Sequence, residues 1–552
     1  MKKILLLAAL LSSATLMAGT VGEQQARQKA ESLLGKSVQV AASSRRLAPQ
    51  EVPAYYLFNA EDGKGFALIA AEDDLASVLG YSLQGSASEE QMPDALALLL
   101  NAYQQYVSDY RNGQAEAPKA IVRAARGVSA GPLVKTEWGQ NAPYNNLCPL
   151  VGNKSSLSGC VATAMAQVLK FWQWPVTGTG YGSATCNNEV VHGSLEHTYD
   201  WENMMNTTSE NLASETSSAA VAQLLYDCGL ATNMAYGTDG SGTPNSLTKR
   251  ALCQNFGYIP TTLRTYSLSC FETNDDFLEV VFNEIDNGRP ALYSAHDATD
   301  GGGHAFVIDG YDEQGRMHVN WGWNGSFNGY FDVTAMNPGS YKYVINQSLI
   351  AGIEPARNGE TGELIEFPLM SNPPTCSQTG SITKTTTFNI LVGNISNPNG
   401  LAHTWSLSVG IFDVKNEMLG EVKTGRVPSL SLNPGYYHPG DFGNITCKVN
   451  GDYPDGDYAL RVMFKEKGQE DWILPDMAGG LKNNAVYINL SGNRINFTDG
   501  SAYNEAFKTA GMAPVITSQP TDENNTLYDL QGRKVDTPRK GIYIKNGHKV
   551  VY

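Results

Sequence analysis

The chain has 552 residues, 42% of them hydrophobic, and a formal net charge of −16 at pH 7. That length is too great for one core and predicts three or four domains, and the apolar share excludes global disorder. The acidic balance argues against nucleic-acid partners, which need a basic surface.

In chain order, Lys2 and Lys3 precede an apolar run from Ile4 to Leu16, with small residues near Ala18. A basic start, a short apolar stretch and a small-residue exit read as a secretory signal peptide over residues 1–18. The run is too short to span a bilayer and no other stretch is long enough, so no transmembrane segment is expected.

Residues 19–111 read as a small α+β unit. Gln24–Leu34 is helix-like, and Tyr55–Phe58 and Gly65–Ala70 are strand-like. Pro93–Tyr110 predicts a helix: Pro93 suits the first turn, and Leu96, Leu99, Leu100, Tyr103 and Val107 recur at helical spacing. Residues 112–131 lose all periodicity and carry Lys119, Arg123 and Arg126. A basic linker in an exported chain is a place for proteolytic cutting.

Residues 132–355 form the largest and most motif-rich unit, with Trp138, Trp172, Trp174, Trp201, Trp321 and Trp323. Beyond it the apolar residues alternate: Phe388, Ile390, Val392; Leu407, Val409, Ile411; Tyr458, Leu460, Val462, Phe464; Val486, Ile488, Leu490. Short alternating strands predict an antiparallel β-sandwich over 356–513. In the last segment, 514–552, Asn546-Gly547 between two apolar runs is a hairpin signal.

Eight cysteines are present: Cys148, Cys160, Cys186, Cys228, Cys253, Cys270, Cys376 and Cys447. Export permits disulfides, but the irregular spacing is not that of a disulfide framework, and the connectivity stays open.

Cys160 follows Ser158-Gly159 and opens a segment in which Val161, Ala164, Met165, Val168, Leu169 and Trp172 keep a helical period. A thiol in the first turn of a helix meets the positive end of the dipole, which favours the thiolate. The helix end supplies only about 1 kcal/mol. Lowering a thiol from its free pKa of about 8.5 to about 4 needs roughly 6 kcal/mol, so a cationic partner is required. Cys148 is the competing thiol, but Pro149 follows it and no helix does.

His304 opens an apolar strand after three glycines, a setting suited to a base that must approach a substrate. His192, His197, His296, His318, His403, His438 and His548 lack a comparable setting. Asn320 ends a strand expected to run beside that of His304, where its amide could hold the imidazole. Trp321 could cover that contact from water. Gln140, twenty residues before Cys160, could pair its amide with the Cys160 backbone N–H as an oxyanion hole. No paired-His zinc motif or Gly-rich phosphate loop is present, and no metal or cofactor is called for.

In order and role, Gln140, Cys160, His304 and Asn320-Trp321 resemble the papain-like arrangement. More closely, WGQNAPYN, SGCVATAMAQV, HAFVIDGY and HVNWGWNG resemble the streptopain family, which includes proteases of the interpain and periodontain type. GFALIAAEDDLASVLGYS is similar to that family's inhibitory propeptide. The resemblance implies an α+β propeptide at 19–127 acting as intramolecular inhibitor, and a papain-like α+β catalytic domain at 128–355. It implies endopeptidase activity on protein or peptide substrates, with an apolar residue two positions before the cut. It carries over onto Gln140, Cys160, His304, Asn320 and Trp321. Residues 514–552 resemble C-terminal sorting segments of secreted Bacteroidetes proteins, which implies a secreted, periplasmic or cell-surface location in a Gram-negative bacterium. The alternatives are a papain-like amidase or acyl transferase, and a surface adhesin on a silent protease scaffold. An intact Cys160, His304 and Gln140 set argues against the adhesin.

Overall fold

The structure is a computed structural model. It describes residues 19–41, 53–116, 126–208, 214–297, 302–334, 344–438 and 442–509, with short strands between 527 and 551. The signal-peptide expectation at 1–18 and most of the basic linker lie outside the described residues.

Helix α1 (Glu23–Leu34) ends at Gly35, whose φ of 65° is the left-handed conformation that closes a helix. It lays Ala26, Ala30 and Leu34 on a meander of β1 (Val38–Val40), β2 (Tyr55–Ala60), β3 (Phe66–Ala70) and β4 (Val78–Ser82). Helix α2 (Asp94–Arg111) follows. Pro93 sits at the cap in a non-helical conformation, one residue before the helix, and not in its first turn as expected. The apolar stripe Leu96, Leu99, Leu100, Tyr103 and Val107 is buried, as the periodicity predicts.

The next unit opens with α3 (Cys160–Trp172), α4 (Glu215–Ala231) and α5 (Ser246–Gln254). Then come β5 (Arg264–Ser267), α6 (Asn274–Asp286), β6 (Ala291–Asp297), β7 (Gly303–Tyr311), β8 (Met317–Asn320), β9 (Gly329–Phe331) and β10 (Val344–Ala351). These strands and the N-terminal meander form one antiparallel ten-stranded sheet, in the order β1-β2-β3-β4-β9-β8-β7-β6-β10-β5. The junction is β4 against β9, with Tyr81 opposite Tyr330 and Gly80 opposite Phe331.

Strand β7 is covered on both faces, which is why its sequence is a near-continuous apolar run. Ala305 and Val307 share a core with Val161, Ala164, Met165, Val168 and Leu169 of α3. Phe306 and Ile308 share another with α6 and with α2 of the N-terminal unit.

Beyond residue 356 the alternating segments form strands Phe388–Val392, His403–Phe412, Gly456–Glu466 and Val486–Ser491. They belong to a seven-stranded and a three-stranded sheet around one core that contains Trp405, Leu407, Val409 and Val462. Charge pairs tie this unit to the preceding one: buried Lys249 Nζ lies 3.8 Å from Glu366, and half-buried Arg264 is 2.7 Å from Asp476. Ile542–Lys545 pairs with His548–Val551 across the Asn546-Gly547 position. All eight cysteines are free thiols. No described helix is long and apolar enough to cross a membrane.

Candidate active site

Gly159 has φ 89°, and a Cβ there would stand 2.7 Å from the Met234 methyl, so this turn into α3 requires glycine. Ser158 N–H donates to the Gln140 carbonyl at 3.1 Å, which pins Gln140 beside the turn. Cys160 is the first residue of α3, and no acidic residue in that first turn opposes the helix dipole.

His304 is the second residue of β7, opposite Ala295 of β6. Cys160 and His304 line a common cavity of about 350 Å³, together with Val161, Pro244, Asn245, Ser294, His296 and Ala305. Burial pushes the Cys160 thiol above its ordinary range, the backbone N–H groups of Ala305, Val161 and Cys160 offset part of this, and the Asp94 carboxylate adds a further upward push. Asp94 is the first residue of α2, so this minor upward push on the Cys160 thiol comes from the N-terminal unit.

Cys148 is buried, its thiol is pushed up to about 12 by burial, and it does not line the cavity.

Asn320 does end β8, which runs antiparallel to β7, but it stands opposite Val307. Side chains alternate, so it shares the Val307 face, on which α3 packs. Its amide donates to the Thr136 carbonyl at 2.6 Å and to Gln167 Oε1 at 3.0 Å. Its oxygen accepts from Gly322 N–H at 3.1 Å and Gln167 Nε2 at 3.3 Å. The group is buried and fully engaged, and neither amide proton reaches the imidazole.

Gln167 is the partner that sequence reading missed. It is fully buried, and its Oε1 also accepts from Thr136 Oγ1 and Trp138 N–H. A polar residue amid the buried apolar run of α3 was the available signal. Trp321 follows on the other face, buried, with its ring 4.8 Å from Phe306 and its indole N–H donating to the Phe327 carbonyl. Asp309 of the HAFVIDGY motif is a brace: it accepts from Val134 N–H at 2.8 Å and faces His318 Nδ1 at 2.6 Å.

A Peptidase C10 family profile matches residues 138–331, and a Spi protease inhibitor profile matches residues 18–107. The Prevotella intermedia prointerpain A fragment is 30% identical and superposes with a TM-score of 0.50, covering 58% of this chain and 99% of that one. The chain belongs to the Peptidase C10 family. The peptidase profile thus covers the central unit, and the inhibitor profile covers the N-terminal unit. The thiol protease/hemagglutinin PrtT of Porphyromonas gingivalis is 27% identical over 92% of this chain and 62% of its own length. This chain therefore spans somewhat less than two thirds of that relative. Streptopain of Streptococcus pyogenes is 27% identical over 60% of this chain and 92% of its own length.

Proposed function

We propose that this member of the family is a secreted cysteine endopeptidase made as a zymogen. Cys160 is the nucleophile and His304 the base and later the acid. The thiolate attacks a peptide carbonyl, Gln140 and the Cys160 N–H hold the oxyanion, and His304 protonates the leaving amine and then activates water. Trp321 and Phe306 keep the strand that carries His304 dry and rigid, and Asn320 acts through Gln167 on the scaffold.

The observation that carries this reading is the helix-terminal Cys160 sharing a cavity with His304. The zymogen part is supported by the inhibitor-like unit, whose strands share one sheet with the strand that carries His304, and by the upward push of the Asp94 carboxylate on the Cys160 thiol. An apolar residue two positions before the cut follows from the resemblance, and Val161, Pro244 and Ala305 offer apolar wall for it.

The test compares an epoxysuccinyl thiol label on the full chain before and after a cut between residues 112 and 131. Labelling and peptide hydrolysis are expected only once the chain is cut there and the N-terminal fragment has been removed, are lost in Cys160→Ala, and are retained in Cys148→Ala. An uncut chain with full activity, or an active Cys160→Ala protein, refutes the proposal.

A further inference from the structure

The cavity beside Cys160 has a polar end that an apolar subsite does not need. Ser294 and Asn245 are spoken for there: Asn245 Nδ2 donates to Ser294 Oγ at 3.0 Å, and Ser294 Oγ is 3.0 Å from Ser348 Oγ. His296 is not. It stands on β6 opposite Gly303, two residues from Ser294 and therefore on the same cavity-facing side of the strand. Its ring lies over the Gly303 backbone, where a Cβ would come within 2.5 Å of the imidazole. Position 303 is thus kept bare immediately before His304.

The two nitrogens of this ring differ. Nδ1 is buried and has no hydrogen-bond partner among the described residues. Protonating both nitrogens would place an N–H and positive charge where nothing accepts it, and burial accordingly lowers the His296 pKa. Orphaned buried N–H groups are rarer than under-satisfied acceptors, so the single proton belongs on Nε2. No described residue bonds Nε2, so the ring offers one unused N–H donor at the wall of the cavity that holds Cys160 and His304.

We propose that His296 is a specificity-determining residue: its Nε2–H receives a substrate side chain that is apolar along its stem and ends in a neutral oxygen acceptor, a carboxamide or a hydroxyl. This rests on the peptidase reading and sharpens its substrate class. The apolar wall of Val161, Pro244 and Ala305 takes the stem, and His296 takes the tip. A purely aliphatic side chain leaves the donor unpaired when it displaces water, which lowers its transition-state binding relative to the polar-tipped one.

The experiment uses the cut, active enzyme and peptide pairs that differ only in Gln against Leu at each position around the scissile bond. In the wild type, one position prefers Gln, or matches it to Leu, by kcat/KM. His296→Leu should lower the Gln/Leu ratio at that position by about tenfold, chiefly through KM, the size expected for one hydrogen bond. His296→Gln keeps an N–H donor and should restore the ratio to within about threefold. His296→Ala is measured alongside, so that a misfolded Leu variant does not decide the matter. A ratio unchanged in both His296→Leu and His296→Ala at every position overturns the proposal. Absence of thiol labelling and of hydrolysis of any peptide by the cut wild type instead overturns the peptidase reading, so the two failures are distinct.

Discussion

Replacing Asn320 by Ala tests whether the residue orients the base or holds the scaffold. The substitution removes an amide that makes four buried hydrogen bonds. Gln167 Oε1 keeps Thr136 Oγ1 and Trp138 N–H, so it stays satisfied. Gln167 Nε2, Gly322 N–H and the Thr136 carbonyl each lose a partner. An orphaned buried polar group costs about 1–3 kcal/mol, so three of them, with partial relaxation, predict a loss of about 3–5 kcal/mol. For a domain of this size each kcal/mol moves the melting temperature by about 2–4 °C, so a fall of roughly 10 °C is expected. The assay is thermal unfolding in a Cys160→Ala background, which prevents self-digestion. Gln167→Leu should cause a comparable fall, and the double variant should lose much less than the sum, because both remove one network. Asn320→Ala melting within about 2 °C of its parent, with turnover in the Cys160 background much reduced, would refute the scaffold argument and return Asn320 to an orienting role.

His403 joins Glu366 at 2.7 Å and Glu466 at 2.5 Å; burial alone would lower its pKa, but the two carboxylates outweigh that and hold it at about 9. A raised folded pKa contributes stability that is complete below about pH 6.5 and is lost as pH rises through about 9, so the melting-temperature gap between wild type and His403→Gln should close across that window; a gap that stays constant contradicts it. Deleting 357–552 removes Glu366 and Asp476 from Lys249 and Arg264. The truncated chain should still label at Cys160 after activation, but with a lower melting temperature and a higher KM, because α5 follows directly on the cavity residues Pro244 and Asn245; unchanged KM and stability would make the sandwich an independent appendage. A chain cut between 112 and 131 should keep its N-terminal fragment bound on size exclusion at neutral pH, and release of the fragment on cutting alone would contradict the shared sheet.

What the sequence made legible was local. The start of α3 at Cys160 follows from a glycine turn and a helical period, and the strand opening at His304 follows from glycines leading into an apolar run. Long-range register was not legible. Whether Asn320 faces His304 depends on its pairing with Val307 across a ladder whose register shifts between Ile308 and Gly310. His296 gains its place only because Gly303 lies opposite it, and seen alone it was one more histidine near a loop. The contacts of Lys249 with Glu366 and of Arg264 with Asp476 join residues too far apart in sequence for any spacing rule to connect.

The junction of β4 with β9 has the same character and the largest consequence. Gly80 lies under the Phe331 ring, where a Cβ would come within 2.2 Å, and a Cβ on Gly329 would come within 2.3 Å of the Tyr81 carbonyl. Two glycines in two units thus allow one close strand pair. Tyr81 extends the contact through its hydroxyl to Asp312 at 3.1 Å, and Tyr81 and Tyr330 stack at 5.4 Å. On the face that carries Phe306 and Trp321, α2 supplies part of the core itself. The inhibitor-like unit is therefore continuous with the peptidase in both hydrogen bonding and apolar packing. A single backbone cut in the linker breaks none of these contacts. Burial of apolar surface contributes about 25 cal/mol per Å², so the severed unit is expected to stay in place until it is itself removed or degraded. Asp94, which adds a minor upward push on the Cys160 thiol, opens the same helix that provides this packing, so loss of α2 from the core would remove both together.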